Sequence, residues 1–180
     1  MQGKFLMMLF IFLGCQTSFA QQTSYTGIGN VETTVIEQVL SVEAAQNLSF
    51  GSIFPISTPE TVTLTLTSNN PNTAPTVTVS NSNLLVVDNP TAGVWDVLGV
   101  RNALVTVTLP DDGTITIDDT GGNSMAVDNF TIRHNSGPSL NLTLDNSGGA
   151  RFAVGATLSV GANQPAGGYS GTYPITVNYQ

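Results

Sequence analysis

Cysteine is almost absent from this chain. Its single thiol, Cys15, lies within the first twenty residues, so the remainder has no disulfide framework and no thiolate metal site. Histidine is as scarce. His134 stands alone, which leaves any Ser–His relay resting on one side chain and gives no histidine set for a transition metal. Basic charge is short too. Four Lys and Arg face twelve Asp and Glu, a net charge of −8 at pH 7, and so acidic a surface argues against nucleic acid or anionic lipid as a partner. The apolar run at residues 5–13 falls well short of the ~20 residues that a membrane-spanning helix needs. No stretch combines a helical apolar period with capping signals, and no block repeats at a fixed interval.

What fills the chain instead is Thr, Ser, Asn and Gly between short apolar alternations. Residues 1–20 read as an export signal. Lys4 supplies a minimal positive region, the apolar run follows, and Ser18-Phe19-Ala20 places small residues at the −3 and −1 positions of a signal-peptidase site. The reading predicts cleavage after Ala20, an N-terminal arm over residues 21–34 and one domain over residues 35–180. A domain of that length can bury a sizeable core without disulfides. The destination is the periplasm, the cell surface or the extracellular space. An alternative sits at Leu13-Gly14-Cys15, where a lipoprotein signal would acylate Cys15 and tether the chain to a membrane. Phe12 fits that signal poorly, because an aliphatic residue belongs three places before the cysteine.

Alternation with a period of two recurs along the chain, as half-buried strands require. It predicts strands at residues 35–42, 61–68, 76–79, 84–87, 94–100, 103–109, 114–117, 125–133, 140–144 and 152–160. In residues 103–109, Ala103, Val105, Val107 and Leu109 turn inward while Thr106 and Thr108 turn out. Asp111-Asp112-Gly113 signals a tight turn from which residues 114–117 return as a hairpin. Gly51 marks a bend or a close backbone approach, and residues 69–75 form a Pro/Asn loop. Short strands at this spacing specify an all-β fold, a single antiparallel β-sandwich.

The last fourteen residues alternate for longest. Tyr169, Gly171, Tyr173, Ile175, Val177 and Tyr179 share one face, and Ser170, Thr172, Thr176 and Asn178 share the other. Gly167, Tyr169, Tyr173, Ile175, Val177 and Tyr179 are therefore the candidate assembly strand. The arm carries a weaker alternation through Tyr25, Gly27, Gly29 and Val31. It reads either as a disordered leader or as a strand that can be donated to a neighbour.

Catalytic and metal patterns fare worse. Gly168-Tyr169-Ser170-Gly171-Thr172 resembles a nucleophile elbow but has Thr172 in place of the last glycine, and it precedes a strand rather than joining a strand to a helix. His134, at a strand end, reads as a surface or turn histidine. Asp111, Asp112, Asp118 and Asp119 supply oxygens for Ca²⁺, but the two pairs sit at opposite ends of a strand, roughly 13 Å apart at ~3.3 Å per residue. Turn-forming Asp is the simpler reading. Trp95, Tyr25 and Tyr169 can stack on sugars, while Trp95 also suits a sandwich core or edge. No catalytic, cofactor or metal residue is assigned.

Three segments together carry a family resemblance. They are Leu48-Ser49-Phe50-Gly51, Phe152-Ala153-Val154-Gly155-Ala156-Thr157-Leu158-Ser159-Val160, and Gly167-Gly168-Tyr169-Ser170-Gly171-Thr172-Tyr173 running into Thr176-Val177-Asn178-Tyr179. In that order they resemble a bacterial exported family known as domain of unknown function 4402, across essentially the whole chain after the signal. The end is also similar to pilus subunits of the chaperone–usher route and to spore-coat-U type domains, with Tyr179 penultimate and Gly167 fourteenth from the end. That similarity implies an immunoglobulin-like, pilin-like sandwich short of one strand, filled first by a periplasmic chaperone and then by the arm of another copy. This chain departs from the better-known members in having no disulfide and in having a glycine-rich arm.

Two functions follow as expectations. The first is an exported, non-enzymatic structural or adhesive cell-surface protein, a fimbrial-type subunit assembled by β-strand donation. The second is a free-standing secreted binding module, for glycan or matrix, with a complete sandwich. The export reading is checked by intact mass of the protein secreted from a bacterial host: a mature N-terminus at Gln21 is expected, and a lipid-modified Cys15 would replace it with the tethered form.

Overall fold

The computed structural model describes residue 26 and residues 28–35, 39–81 and 83–180. The expected signal segment, Cys15, Tyr25 and Gly27 lie outside the described residues. The chain divides into two units, Met1–Val35 and Ile36–Gln180. In the first, residues 28–35 form no strand, and Ile28, Val31 and Val35 are more than nine-tenths exposed, at 95%, 97% and 92%. Residues 26, 28–30 and 32–34 are exposed as well.

The second unit is all-β. In chain order its strands are β1 (Ser41–Gln46), β2 (Ser52–Phe54), β3 (Glu60–Thr65), β4 (Thr76–Val79), β5 (Leu85–Val87), β6 (Gly93–Leu98), β7 (Leu104–Thr108), β8 (Ile115–Asp118), β9 (Ser124–His134), β10 (Asn141–Thr143), β11 (Gly149–Val160) and β12 (Thr176–Tyr179). No helix occurs among the described residues. All pairings are antiparallel. β11 is the spine. Along one edge it pairs with β6 and then β3, and along the other with β9. β1 extends the sheet beyond β6, and β8 extends it beyond β9. A three-stranded sheet, β10-β7-β12, packs over it, and β2-β5 forms a separate ribbon.

Two apolar clusters fill the sandwich. Val105, Val107, Leu142 and Leu144 meet Val97, Ile132, Phe152 and Val154 between the sheets. Phe50, Val62, Leu64, Leu84, Met125, Val127, Ala156, Leu158 and Val160 form the second cluster. A bulge in β9 lets one strand serve both. Gly155 faces Thr131 but Thr157 faces Asp128, so β9 carries one extra residue there, with Asn129 at φ 53°. An extra residue flips the inward side. Ile132 is inward on one side of the bulge and Val127 and Met125 on the other, while Phe130 touches both clusters. Phe152 is fully buried, and burying a side chain of that size stabilises by about 1.5–3 kcal/mol.

Most expected strands are present, with ends shifted by at most three residues. Gly51 sits at φ +74°, where a Cβ would lie 2.7 Å from the Val87 carbonyl oxygen, so the expected bend is there. The expected strand at 35–42 is a correction. Val35 is exposed and lies in no strand, residues 36–38 lie outside the described residues, and β1 begins at Ser41. The Tyr179 hydroxyl takes over just before it, accepting from the Val100 amide at 2.8 Å and donating to the Val39 carbonyl at 3.4 Å.

The hairpin across Asp111-Asp112-Gly113 is a second correction. The turn exists, with Gly113 at φ +77°, but it carries the chain between sheets: β7 pairs with β10 and β12, and β8 pairs with β9. The acidic turn is tied to β9 instead. Asp112 accepts from the Asn129 amide at 2.7 Å, and Asp128 accepts from the Gly113 amide at 2.6 Å. Asp119 likewise accepts from the amides of Gly121 and Asn123, which is the turn-forming role.

The terminal strand is a third correction. Burial alternates from Tyr169 to Gln180 apart from the contrast lost at Gly171, yet only Thr176–Tyr179 forms a ladder. Thr176 pairs with Thr108, so the same register sets Pro174 opposite Pro110. Neither has an amide hydrogen, and the ladder stops.

His134 does end a strand, but it is not a surface residue. It is 7% exposed. Its Nδ1 accepts from the Ser136 amide at 3.3 Å, which puts the proton on Nε2, an atom buried with no hydrogen-bond partner among the described residues. Burial holds its pKa below the ordinary 6.5, partly countered by the Asn141 backbone. The unfolded chain then binds the proton more readily, so stability is complete above about pH 6.5 and falls as pH drops toward the folded-state pKa. The carboxylates of Asp96, Asp119 and Asp145 are held low by their hydrogen bonds to Arg151, Asn123 and Ser147, and their contribution is lost only below about pH 4. Thermal melts should therefore show a decline in Tm between about pH 7 and pH 5 that His134→Gln removes; an unchanged slope in the variant would assign the decline elsewhere.

Candidate functional site

The pairing path β1–β6–β11–β9–β8 does not end at β8. Ser170 exchanges both backbone hydrogen bonds with Asp118, each at 3.0 Å, so the segment before β12 adds a further extended stretch to that edge. At the opposite edge, Ser49 exchanges both backbone bonds with Thr91, at 2.9 and 2.8 Å, prolonging the β1–β6 ladder. The two ends of the path face each other across a groove of about 990 Å³. One wall is the stretch from Gln46 to Pro55. The other runs from Gln164 to Tyr173. Ile115, Ile117, Met125, Val127, Leu158 and Val160 lie beneath.

The backbone of each wall is half used. In an extended chain, successive residues turn their N–H and C=O to opposite sides. Ser49 spends its pair on Thr91, away from the groove, so Leu48 and Phe50 turn theirs toward it. Ser170 spends its pair on Asp118, so Tyr169 and Gly171 turn theirs toward it from the other side. Among the described residues, none of these four makes a backbone–backbone bond outside the strands. A groove with an apolar bottom and two unpaired backbone edges has the chemistry to accept an extended peptide.

Side chains hold the second wall. A Cβ on Gly171 would collide with the Thr116 carbonyl oxygen, so glycine lets this backbone lie against β8. Gln164 donates to the Tyr169 hydroxyl at 3.0 Å and accepts from the Gly161 amide at 3.2 Å, while Tyr169 donates to the Pro165 carbonyl at 2.8 Å. Tyr173 accepts from the Trp95 indole N–H at 3.1 Å and stacks near Phe130, ring centroids 5.4 Å apart. Burial raises the Tyr173 pKa above 10, with the Trp95 bond working against it. A smaller hollow of about 370 Å³ shares Gln164, Met125 and Val160 with the groove. Its Glu60 carboxylate accepts from Ser80 at 2.5 Å and Thr58 at 3.0 Å.

The residues expected in the assembly strand divide between two places. Gly167, Tyr169 and Tyr173 line the groove. Tyr173, Ile175, Val177 and Tyr179 pack on the cluster between the sheets. Gly29 has open space around it and Val31 is exposed; Tyr25 and Gly27 lie outside the described residues. The first wall, Gln164 and the groove bottom were not legible as a site. The nearest signals were Leu48-Ser49-Phe50-Gly51 and the half-buried Trp95. No group of three or more His, Cys, Asp or Glu able to hold a metal occurs among the described residues.

Gly171→Ala should lift the second wall from β8 and cost about 1–3 kcal/mol, the usual range for an overpacked site. Urea unfolding measures the loss, and faster hydrogen exchange at the Ser170 and Asp118 amides locates it.

A family model described as Domain of unknown function (DUF4402) matches residues 40–179, which run from the residue before β1 to the penultimate residue. No curated protein and no solved structure matches the chain.

Proposed function

The chain belongs to the DUF4402 family, a domain of unknown function, and on that premise we propose that it is an exported, non-enzymatic cell-surface subunit assembled by β-strand donation. The domain is an immunoglobulin-like, pilin-like sandwich short of one strand, and the groove is the vacant place. The occupant is the arm of a second copy, residues 21–34. The observation that carries this reading is the pair of unpaired backbone edges, Leu48 and Phe50 against Tyr169 and Gly171, over an apolar bottom.

The arm supports it from its own side. Within it, Ile28 and Val31 are almost wholly exposed to solvent, and residues 28–34 form no strand. Apolar groups left in water and backbone groups left unpaired are both relieved when an extended arm enters the groove. A heterologous contact of this type gives open chains of subunits when it does not close on itself. The acidic surface keeps such subunits soluble before assembly.

Size-exclusion chromatography with light scattering tests the reading on residues 21–180 and on a chain starting at Val35, each with and without synthetic arm peptide. The longer chain should form concentration-dependent oligomers. The shorter one should be monomeric and capture the peptide. Two stable monomers that ignore the peptide would mean a closed sandwich, and the free-standing glycan- or matrix-binding module would then replace the strand-donation reading.

A further inference from the structure

The groove has two closed ends. At one, the Asn163 amide donates to the Ile56 carbonyl at 2.8 Å, joining the loop of the second wall to the segment just past the first. At the other, the Trp95 indole donates to the Tyr173 hydroxyl at 3.1 Å, and the two rings meet edge-on at 5.7 Å and 76°. Trp95 stands opposite Ala44 in the β1–β6 ladder, so this contact ties the start of one wall to the end of the other. Phe130 backs Tyr173 from the core side.

Between the closures, each wall offers two residues with unpaired backbone, Leu48 and Phe50 on one, Tyr169 and Gly171 on the other. Two such residues are about 7 Å apart along an extended chain. A strand of about five residues satisfies both walls. A longer one meets the rings of Trp95 and Tyr173, whose N–H and hydroxyl oxygen are already engaged with each other.

We propose that the Trp95–Tyr173 pair is the end stop of this groove, fixing the register of the accepted strand and limiting it to about five paired residues. The inference rests on the strand-donation reading and adds a specificity determinant to it. The two residues are positioning residues: they act by where they end the groove.

Trp95 is the only tryptophan in the chain, so its emission reports what reaches the stop. The test uses the mature chain, residues 21–180, kept dilute enough to be monomeric by light scattering. It is titrated with the arm peptide 21–34 and with five-, seven- and nine-residue windows centred on Gly29. In the native protein the five- and nine-residue windows should bind within about twofold of each other, and binding should shift Trp95 emission. Tyr173→Ala removes the stop and opens the backbone N–H and C=O of residue 173 to the strand, and the nine-residue window should then bind about tenfold more tightly than the five-residue one, as two added backbone hydrogen bonds allow. Tyr173→Phe keeps the ring and the packing but loses the bond from Trp95, and should give about a threefold preference for the longer window. A native protein whose affinity climbs tenfold from five to nine residues overturns the end stop, as does the same length dependence in all three proteins. If no peptide binds the native chain at all, by emission or by calorimetry, strand acceptance itself fails and the end stop falls with it.

Discussion

The structure depends on where its backbone hydrogen bonds go. A buried or half-buried N–H or C=O must find a partner, and in this chain the search for partners traces a path through β1, β6, β11, β9 and β8. The path then takes in Ser170 at one end and Ser49, through Thr91, at the other. Sheet twist and the β9 bulge bring its two ends toward each other. The groove lies between those two ends, with apolar side chains of β8, β9 and β11 beneath it.

Side chains secure the seam where the backbone does not. Tyr179 ties the start of the domain to the turn after β6 through Val100 and Val39. Tyr173 ties the middle through Trp95, and the Asn163 amide ties the far end to Ile56. Each tyrosine presents an apolar ring to the interior and a hydroxyl to a partner, which suits a boundary that is half core and half edge. Pro174 and Pro110 explain why tyrosines are needed there, since the ladder of β12 cannot continue past them.

The few charges are used locally. Arg151 forks onto Asp96 at 2.6 Å and reaches Asn72, and Arg133 reaches Asn69, so two arginines hold the loop around residues 69–72 over the sheet. The ion pair is nearly half exposed and contributes little, about 0–1 kcal/mol. Aspartates at 112, 119, 128 and 145 cap turns by accepting backbone amides. Each of these bonds fastens a turn or a loop to the sheet beside it.

The sequence by itself determined most of the strands and their inward faces, with ends within about three residues, because a period of two and the placement of Gly, Pro, Asn and Asp act over a few residues. The burial of Val105 and Val107, the turn at Gly113 and the bend at Gly51 were all legible that way. So was the shared face of Tyr169, Tyr173 and Tyr179, and with it half of the candidate site. Only the tertiary structure decided which strands lie side by side. It parted β7 from β8, buried His134, ended the terminal ladder at Pro174 and set residues 46–55 against residues 164–173. Alternation specifies which way a side chain points and is silent on its neighbour across the sheet. That choice is made by the whole core at once, through contacts between residues far apart in the chain.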